Sequence, residues 1–530
     1  KIYSDAYTMV STPGGARYPE VNDVINKRVE KGCLIMNYIG HGGEVGWAHE
    51  RILEVPDIKA WRNFNNMPVF VTATCEFSRF DDPERTSAGE WVFLNSNGGG
   101  ISLFTTTRLT FAGTNKTLLD RFYMYLFVKN NGKYLRMGDL LREAKDSLGN
   151  SSNVHSFVLL GDPAMKIAFP DLNVVTTAIN TQENKSLPDT LKALSVITIR
   201  GEIRDAAGDL QQGFSGTLFP TVYDKPSEIW TKANYGYDDP FRFFLRKNPV
   251  YKGKVEVVNG QFSFSFIVPK DIAYQYGVGK ISYYARNAET DANGFDENIQ
   301  VGGYNNEAPI DDRGPELSLY LNNLHFISGG ITDPKPTLIA VMSDSSGINT
   351  VGNGIGHDIT AVLDHTSTTP MILNDYYVSD LNTFKSGIIT YPLSAMEDGL
   401  HTLTMKAWDV YNNSSEVTID FIVISSAEFA FQHLINYPNP MRDQTTFCWE
   451  TNQVNQTLEI EISIFTLMGD LVKTIGRTID SQGYRNVSIQ WDGTQDNGRK
   501  ISSGTYVYQV QVKIPDGTVK QQASKLVVIR

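Results

Sequence analysis

Two side chains that could perform nucleophilic chemistry each follow a short apolar segment near the start of this sequence. His41 follows the segment 34–40 (LIMNYIG), and Cys75 follows the segment 68–74 (PVFVTAT). A thiol becomes an effective nucleophile when a neighbouring imidazole takes its proton or stabilises the thiolate. The pair therefore indicates acyl transfer through a thioester on Cys75.

Both apolar segments have the length of strands, and the chain between them is long enough for a crossover helix. Pro56 and Asp57 lie where such a helix would begin. The carboxyl ends of adjacent parallel strands share one edge of a sheet, so we expect His41 and Cys75 to meet there. The glycines around the histidine leave backbone amides accessible, and the amides of Gly42 and of Cys75 itself are the expected oxyanion donors.

Each of the two residues also has an ordinary interpretation when it is considered alone. A single cysteine after an apolar run is usually a small buried hydrophobe, and a lone histidine in a loop is usually only polar. Their joint placement after two successive strand-like segments favours the catalytic interpretation. No metal or cofactor is predicted at this site.

Length, charge and cysteine content limit the class of protein. A chain of 530 residues predicts three or four domains. The net charge of −12 argues against a nucleic-acid partner, because neutralising phosphates needs a basic face. Cys33, Cys75 and Cys448 are too far apart in sequence for a disulfide framework or a paired-cysteine zinc site. No apolar run reaches the ~18 residues that span a bilayer. We find no signal peptide and expect the chain to be part of a longer precursor.

Strand-like and helix-like segments alternate up to residue 163, which predicts an α/β domain with a mostly parallel sheet. Helices are predicted at Pro19–Gly32, Lys116–Phe127 and Met137–Leu148. Arg108 follows a third strand-like segment. It is either a ligand for a substrate carboxylate or a structural arginine, and we favour the structural role.

Several short motifs in this region resemble the gingipain (C25) family of caspase-like cysteine peptidases. They are 37–43 (NYIGHGG), Trp47, 73–75 (ATC) and 160–163 (LGDP). The resemblance implies a caspase-like catalytic domain over residues 1–170, in which His41 and Cys75 form the catalytic dyad. It also implies that an acid that orients the histidine lies upstream of Lys1.

Beyond Pro170 the helical periodicity ends, and alternating apolar and polar residues predict half-buried strands. The segment 171–312 is predicted to be a β-sandwich with an aromatic insertion around Tyr235–Tyr251. That insertion is a partner-binding surface, a flap over another domain or, as we favour, a packing element. The segment 313–430 resembles the Ig-like sandwich modules of surface proteins.

Acidic residues in the third segment raise the question of calcium. Asp344, Asp358 and Asp364 could hold this ion, but their spacing matches no known calcium loop. We favour a solvated edge.

The last segment, 431–530, resembles the C-terminal domain of type IX secretion cargo. That domain is an Ig-like seven-stranded sandwich that serves as an export signal. An ordinary sandwich domain without a targeting role is the alternative interpretation.

The two resemblances together imply a cysteine endopeptidase and transpeptidase, a sortase, that is associated with the outer membrane at the bacterial cell surface. Residues 76–90 resemble the sortase group of the family more than its digestive proteases. The enzyme would remove the C-terminal export domain of type IX secretion cargo. It would then pass the cargo, through the Cys75 thioester, to an amine of anionic lipopolysaccharide. His41 would take the thiol proton and later protonate the leaving amine.

The implied partners are the cargo proteins, the lipopolysaccharide acceptor, an outer-membrane β-barrel shuttle protein and other subunits of an attachment complex. Two other functions stay open. One is a secreted gingipain-type protease that hydrolyses proteins, and the other is a catalytically inactive scaffold of a surface translocon.

Overall fold

The computed structural model describes residues 1–530 except 131, 150, 181, 184–188, 238, 352–355, 365–369, 425–430, 452–456, 481–485, 516 and 530. The chain forms two compact units. Unit 1 consists of Lys1–Phe169 and Ser227–Leu245, and unit 2 consists of Pro170–Pro226 and Arg246–Arg530. Along the described chain, no helix is both long and apolar enough to cross a membrane.

Unit 1 alternates helices with short strands. Its helices are α1 (Pro19–Lys31), α2 (Val55–Ala60), α3 (Ala88–Leu94), α4 (Ala112–Leu126), α5 (Met137–Asp146) and α6 (Ser152–His155). Its strands up to Phe169 are β1 (Val10–Thr12), β2 (Gly15–Arg17), β3 (Ile35–Ile39), β4 (Gly42–Gly43), β5 (Gly46–Trp47), β6 (Leu53–Glu54), β7 (Val69–Ala73), β8 (Ser102–Thr106), β9 (Lys129–Asn130), β10 (Lys133–Tyr134) and β11 (Phe157–Leu160).

Local sequence sets the ends of some helices better than others. In α1, Pro19 occupies the first turn and Gly32 ends the helix with a φ of +92°, as the sequence predicts. By contrast, α4 begins at Ala112 rather than at the predicted Lys116. Phe111, the residue before it, provides no side-chain cap that would mark this start in the sequence. The start of α4 therefore has no local signal.

The central sheet of unit 1 has the strand order β11–β8–β7–β3. The β3–β7 and β7–β8 pairs are parallel, and only β11 runs antiparallel to its neighbour within this sheet. The sheet is therefore mostly parallel, in agreement with the prediction. Helix α2 lies in the connection between β3 and β7, which such a parallel pair requires.

Both faces of this sheet are covered by apolar side chains. All five residues of β7 are buried. Because side chains alternate along a strand, Phe70 packs with residues of α1, α2 and α3, whereas Val69 and Val71 pack with residues of α4 and α5. On the α4 side, the ring of Phe104 lies 4.6 Å from that of Phe122.

The residues 227–245, which we call the arm, correct one sequence prediction. The predicted aromatic insertion around Tyr235–Tyr251 combines two structures. The strands Ser227–Trp230 and Arg242–Leu245 pair antiparallel and belong to unit 1. Pro249–Lys252 is instead a strand of the large sheet of unit 2. The aromatic composition alone could not separate these, since both segments bury rings.

Unit 2 is built from β-sheets. Its first sheets, of nine and three strands, comprise Leu172–Ile179, Gln182–Glu183, Asp189–Ala193, Val196–Arg204, Gly216–Tyr223, Pro249–Lys252, Val255–Val257, Gln261–Ile267, Gly277–Val278, Lys280–Arg286, Asp291–Asp296 and Ile299–Tyr304 in the described residues. The next two, of four and five strands, comprise Glu316–Leu321, Ile331–Thr332, Thr337–Ser343, Thr360–Leu363, Met371–Ile372, Tyr377–Ser379, Ser386–Pro392, Gly399–Trp408 and Ser414–Val423.

The last sheets of unit 2 hold seven described strands, three in one sheet and four in the other. They are Phe431–Tyr437, Thr445–Thr451, Thr457–Thr466, Leu471–Asp480, Asn486–Trp491, Gly504–Lys513 and Val519–Val528. Each of the three groups of sheets encloses its own apolar cluster. The division into domains at 170, 312 and 430 stays a prediction, and its last boundary lies outside the described residues.

The contact between Phe104 and Phe122 on the α4 side of the sheet predicts how a substitution changes the stability of unit 1. Phe104→Ala should destabilise unit 1 by about 3–5 kcal/mol, because truncating a buried ring leaves a cavity. Calorimetry of the whole chain should show an unfolding transition at a lower temperature than in the wild type. Phe111→Ala, at a side chain that is 75% exposed, is the control and should leave that transition in place. Equal transitions in the two variants would contradict the packing described above.

A second prediction concerns pH and Asp5, which binds the arm. Burial would raise the pKa of Asp5, but hydrogen bonds from Asn234 and Ala233 outweigh burial and hold the pKa below its usual range. The stabilisation from a lowered pKa is present above the unfolded pKa of about 3.9 and is lost as the pH falls through the folded value.

Asp5→Asn should therefore lower the unfolding temperature of unit 1 at pH 6, and the difference from the wild type should decrease as the pH falls below about 3.9. The exposed Asp23, which forms an ion pair with Lys27 along α1, provides the control Asp23→Asn. A difference that does not decrease as the pH is lowered would refute the assignment.

Candidate active site

The pairing of β3 with β7 places His41 and Cys75 at the same edge of the sheet. The register joins Ile39 to Ala73, so the two candidates each lie two residues beyond the last paired position of neighbouring parallel strands. Tyr38 and Thr72 form the preceding pair. This is the edge at which ligands bind in open parallel sheets.

The thiol and the imidazole do not bond to each other in the structure. The Cys75 Sγ donates to the carbonyl of Thr110 at 3.7 Å, and the His41 side chain is exposed. Among the described residues no hydrogen bond joins the two candidates. Hydrogen bonds of catalytic pairs are often looser without substrate than with it. The structure thus places both groups at one edge and leaves their contact unmade.

The backbone of His41 is held by two donors. Its carbonyl accepts hydrogen bonds from the Tyr38 hydroxyl at 2.6 Å and from the Ala48 amide at 2.7 Å. The Tyr38 ring stacks on Trp47 at 4.3 Å, with 8° between the planes. Burial is the main cause that raises the pKa of Tyr38, so its phenol stays a neutral donor. The orientation of the histidine loop therefore depends on Tyr38.

Gly40 and Gly42 lie so close to neighbouring side chains that a larger residue would not fit at either position. A Cβ on Gly40 would lie 2.5 Å from the Tyr38 hydroxyl, and a Cβ on Gly42 would lie 2.5 Å from the Thr74 hydroxyl. The Thr74 hydroxyl is buried and has no hydrogen-bond partner in the described structure. Any side chain at Gly40 or Gly42 would therefore collide with the Tyr38 or the Thr74 hydroxyl.

The amides of Gly42 and Cys75 are the predicted oxyanion donors. Gly42 pairs with Trp47, and because the Ala48 amide donates to the His41 carbonyl, Gly42–Trp47 is a non-hydrogen-bonded pair of this ladder. The pairing therefore does not use the Gly42 amide. No described acceptor takes the amide of Cys75. The role of both amides in binding an oxyanion stays a prediction.

Side chains that sequence reasoning missed connect the two catalytic loops. Arg79, after Cys75, pairs with Glu44, after His41, at 2.9 Å. Arg79 also lies 3.7 Å from Glu76, and Arg85 lies 3.8 Å from Glu44. The Glu44 side chain is only 12% exposed. Partners that are 35 positions apart leave no local pattern in the sequence, so only the fold reveals this connection.

Arg108 pairs with a carboxylate of the chain itself, which is compatible with the structural role that the sequence favoured. Its guanidinium binds the Asp81 carboxylate through two nitrogens, at 2.9 and 2.5 Å. The hydrogen bond from Arg108 holds the pKa of Asp81 below its usual range. Both side chains are about half exposed, so the pair contributes little to stability, but it joins the loops after β7 and β8.

A second histidine that the sequence did not single out lies beside the first. The rings of His41 and His49 are 5.3 Å apart. His49 belongs to the connection between β5 and β6, which follows the short antiparallel pair formed by β4 and β5. The imidazole of His41 therefore lies beside a second imidazole, with 42° between the ring planes.

The acidic residues that could hold calcium are grouped differently from the prediction. Asp344 lies in unit 2 with Asp311 and Asp409, and their carboxylate oxygens are within 4.8 Å of one another. Burial raises the pKa of Asp409 to about 6. Asp364 instead binds His401 at 2.8 Å. Nothing in this geometry bears on the chemistry of unit 1.

Comparison with known proteins gives the family of the first segment. Residues 1–168 match the model of peptidase family C25. The resemblance to the C25 family is therefore confirmed for this segment, which contains both candidate residues. The comparison with curated proteins finds no match.

Two solved structures are similar to the chain. Dimeric latent PorU from Porphyromonas gingivalis is 32% identical, with 76% of this chain and 38% of that chain covered and a TM-score of 0.34. The complex of the pro- and mature domains of RgpB, also from Porphyromonas gingivalis, is 14% identical, with 52% of this chain and 57% of that chain covered and a TM-score of 0.26. The chain thus spans well under half of the PorU chain. TM-scores this low support no shared arrangement, so the assignment depends on the C25 match.

The hydrogen bond from Tyr38 to His41 can be tested with a variant of the C25 segment. Tyr38→Phe removes one hydroxyl and should slow iodoacetamide modification of Cys75 by about two- to tenfold. This is the rate change that corresponds to the net free energy of one hydrogen bond. Tyr123→Phe is a matched control, because its hydroxyl donates to Asn37 on the same strand and does not touch His41. If both variants react at the wild-type rate, the Tyr38 hydroxyl does not position the histidine.

Proposed function

We propose that the chain is a PorU-type sortase, a cysteine endopeptidase and transpeptidase of the bacterial cell surface. It cleaves the peptide bond before the C-terminal export domain of type IX secretion cargo. It then transfers the cargo to an amine of anionic lipopolysaccharide. The observation that carries the proposal is the β3–β7 register, which brings His41 and Cys75 of a C25 segment to one edge of the sheet.

The first half of the reaction is acylation of the thiol. His41 takes the proton of the Cys75 thiol, and the thiolate attacks the carbonyl carbon of the scissile bond. The amides of Gly42 and Cys75 donate to the oxyanion that forms. When the tetrahedral intermediate collapses, the C–N bond breaks and the imidazolium gives its proton to the leaving amine. The products are a thioester on Cys75 and the free export domain.

The second half transfers the acyl group. The acceptor amine attacks the thioester carbonyl, and His41 takes a proton from that amine. Collapse of the second intermediate breaks the C–S bond, forms an amide and returns the proton to the thiolate. In a hydrolase, water takes the place of the amine. Sortase and hydrolase therefore share the same dyad and differ only in the nucleophile that reaches the thioester.

Sequence features support the sortase over the gingipain-type hydrolase. Residues 76–90 resemble the sortase group, and this segment provides Arg79 and Arg85, which pair with Glu44 in the structure. The seven strands of the last sheets agree with the predicted export-type sandwich. We place the chain at the outer membrane, with a PorV-type β-barrel shuttle protein and other attachment-complex subunits as partners.

The inactive scaffold is the alternative from a different class, and thiol reactivity distinguishes it. In the sortase, iodoacetamide should modify Cys75 about tenfold or more faster than Cys33 and Cys448. Burial raises the pKa of both comparison thiols, so they should react slowly. His41→Ala should remove the advantage of Cys75. Equal rates for all three thiols in the wild type would favour the scaffold.

Analysis of the processed cargo decides between transfer and hydrolysis. In cells that carry the wild-type protein, mass spectrometry of a mature cargo should find its new C-terminal carboxyl group in an amide bond to a sugar. Cys75→Ala should leave the export domain attached, whereas Cys448→Ala should not. A free carboxylate alone would show hydrolysis, and normal processing in Cys75→Ala would show that another protein cleaves the cargo.

A further inference from the structure

The arm is bound to the first residues of the chain through an anchor of hydrogen bonds to Asp5, which is partly buried. The carboxylate of Asp5 accepts hydrogen bonds at 2.9 Å from the amides of Ala233 and Asn234 and from the Asn234 side chain. The Asn234 side chain also donates to the carbonyl of Tyr7 at 3.0 Å and to the hydroxyl of Tyr18 at 3.3 Å. Donors and acceptors of the anchor are therefore satisfied between the arm and the first residues of the chain.

The two strands of the arm present different faces. Phe243 is buried and its ring meets that of Tyr3 at 4.5 Å, edge to face. On the other face, Trp230 and Phe244 are more than half exposed. Because side chains alternate along a strand, one face of the arm packs on the rest of unit 1 and the other faces solvent. The contact of Phe243 with Tyr3 therefore holds the strands of the arm.

The residue after the anchor reaches the histidine loop. The hydroxyl of Tyr235 donates to the Glu50 carboxylate, and this hydrogen bond is the main cause that raises the pKa of Tyr235 to about 12. Glu50 follows His49, whose ring lies 5.3 Å from that of His41. A short series of contacts therefore leads from Asp5 to the candidate general base.

The loop that Tyr235 reaches has a strained backbone. Ala48 and Arg51, on either side of His49 and Glu50, have φ values of 61° and 54°. Side chains with a Cβ rarely adopt this left-handed conformation, and it persists where the surroundings fix it. The Ala48 amide is also the group that donates to the His41 carbonyl. Within the loop, the Arg51 amide donates to the Ala48 carbonyl at 3.2 Å, and Tyr235 adds a contact from outside the loop.

We propose that Tyr235 is a positioning residue of the active site: by binding Glu50 it fixes residues 48–51 and, through the Ala48 amide, the backbone of His41. The proposal rests on the proposed function in so far as it concerns catalysis. It assigns the aromatic arm a role in orienting the histidine. From the sequence, the aromatic insertion is a partner-binding surface, a flap or a packing element.

The test measures inactivation of the full chain by a peptidyl chloromethyl ketone such as Ala-Ala-Phe chloromethyl ketone. This probe alkylates the thiol and separates binding (KI) from the chemical step (kinact). Tyr235→Phe should lower kinact about two- to tenfold and leave KI and the unfolding temperature unchanged, since only one hydrogen bond is lost. Tyr237→Phe, on the stacked neighbour that is 88% exposed, is the matched control and should behave as the wild type.

The partner of Tyr235 provides a second comparison. Glu50→Gln keeps an acceptor oxygen and should retain most of the rate, whereas Glu50→Ala should match Tyr235→Phe. The double variant Tyr235→Phe/Glu50→Ala should be no slower than either single variant, because the two changes remove the same contact. Unchanged kinact in Tyr235→Phe, or losses that multiply in the double variant, would overturn the proposal.

A readout that does not need catalysis separates this proposal from the proposed function. In Tyr235→Phe the Ala48 amide should exchange with deuterium faster than in the wild type and in Tyr237→Phe. If wild-type Cys75 reacts no faster than Cys33 and Cys448, the proposed function fails, but faster exchange of Ala48 would still support the positioning role. Equal exchange in all three proteins would overturn it.

Discussion

The parallel pairing of β3 with β7 is the constraint on which the candidate active site depends. Five consecutive residue pairs, from Ile35–Val69 to Ile39–Ala73, fix how far each strand extends past the other. In β3, Met36 is buried and Asn37 is exposed, so a slip of one residue would turn Asn37 to the face that Met36 occupies. The different burial of neighbouring residues in β3 therefore favours one register, and the register fixes where His41 and Cys75 lie.

Beyond the strand ends, other interactions define the geometry. The Tyr38 hydroxyl and the Ala48 amide hold the histidine backbone, and the ion pair of Glu44 with Arg79 joins the two loops. These contacts leave the thiol bonded to a carbonyl and the imidazole exposed. The backbone around the two candidates is therefore held by several contacts, whereas the thiol and the imidazole are not bonded to each other.

Much of unit 1 could be predicted because its signals are local. Apolar runs that end on His41 and Cys75 gave the two strands, and Pro19 and Gly32 marked the ends of a helix. The missed features join residues far apart in sequence. Glu44 and Arg79 are 35 positions apart, and Asp5 and Asn234 are 229 apart. No periodicity or turn residue signals such pairs, so the docking of the arm and its correct boundary could come only from the fold.

Proximity of positions 41 and 75 is the central claim, and disulfide trapping measures it most directly. Neighbouring strands lie about 4.8 Å apart, which is within the Cα separation of about 4.4–6.8 Å that a disulfide requires. In a Cys33→Ser/Cys448→Ser background, His41→Cys should form a disulfide with Cys75 under mild oxidation, detected by peptide mass spectrometry. Leu34→Cys, one residue before the start of β3, should not. Failure of His41→Cys to cross-link, or equal cross-linking of both variants, would contradict the account.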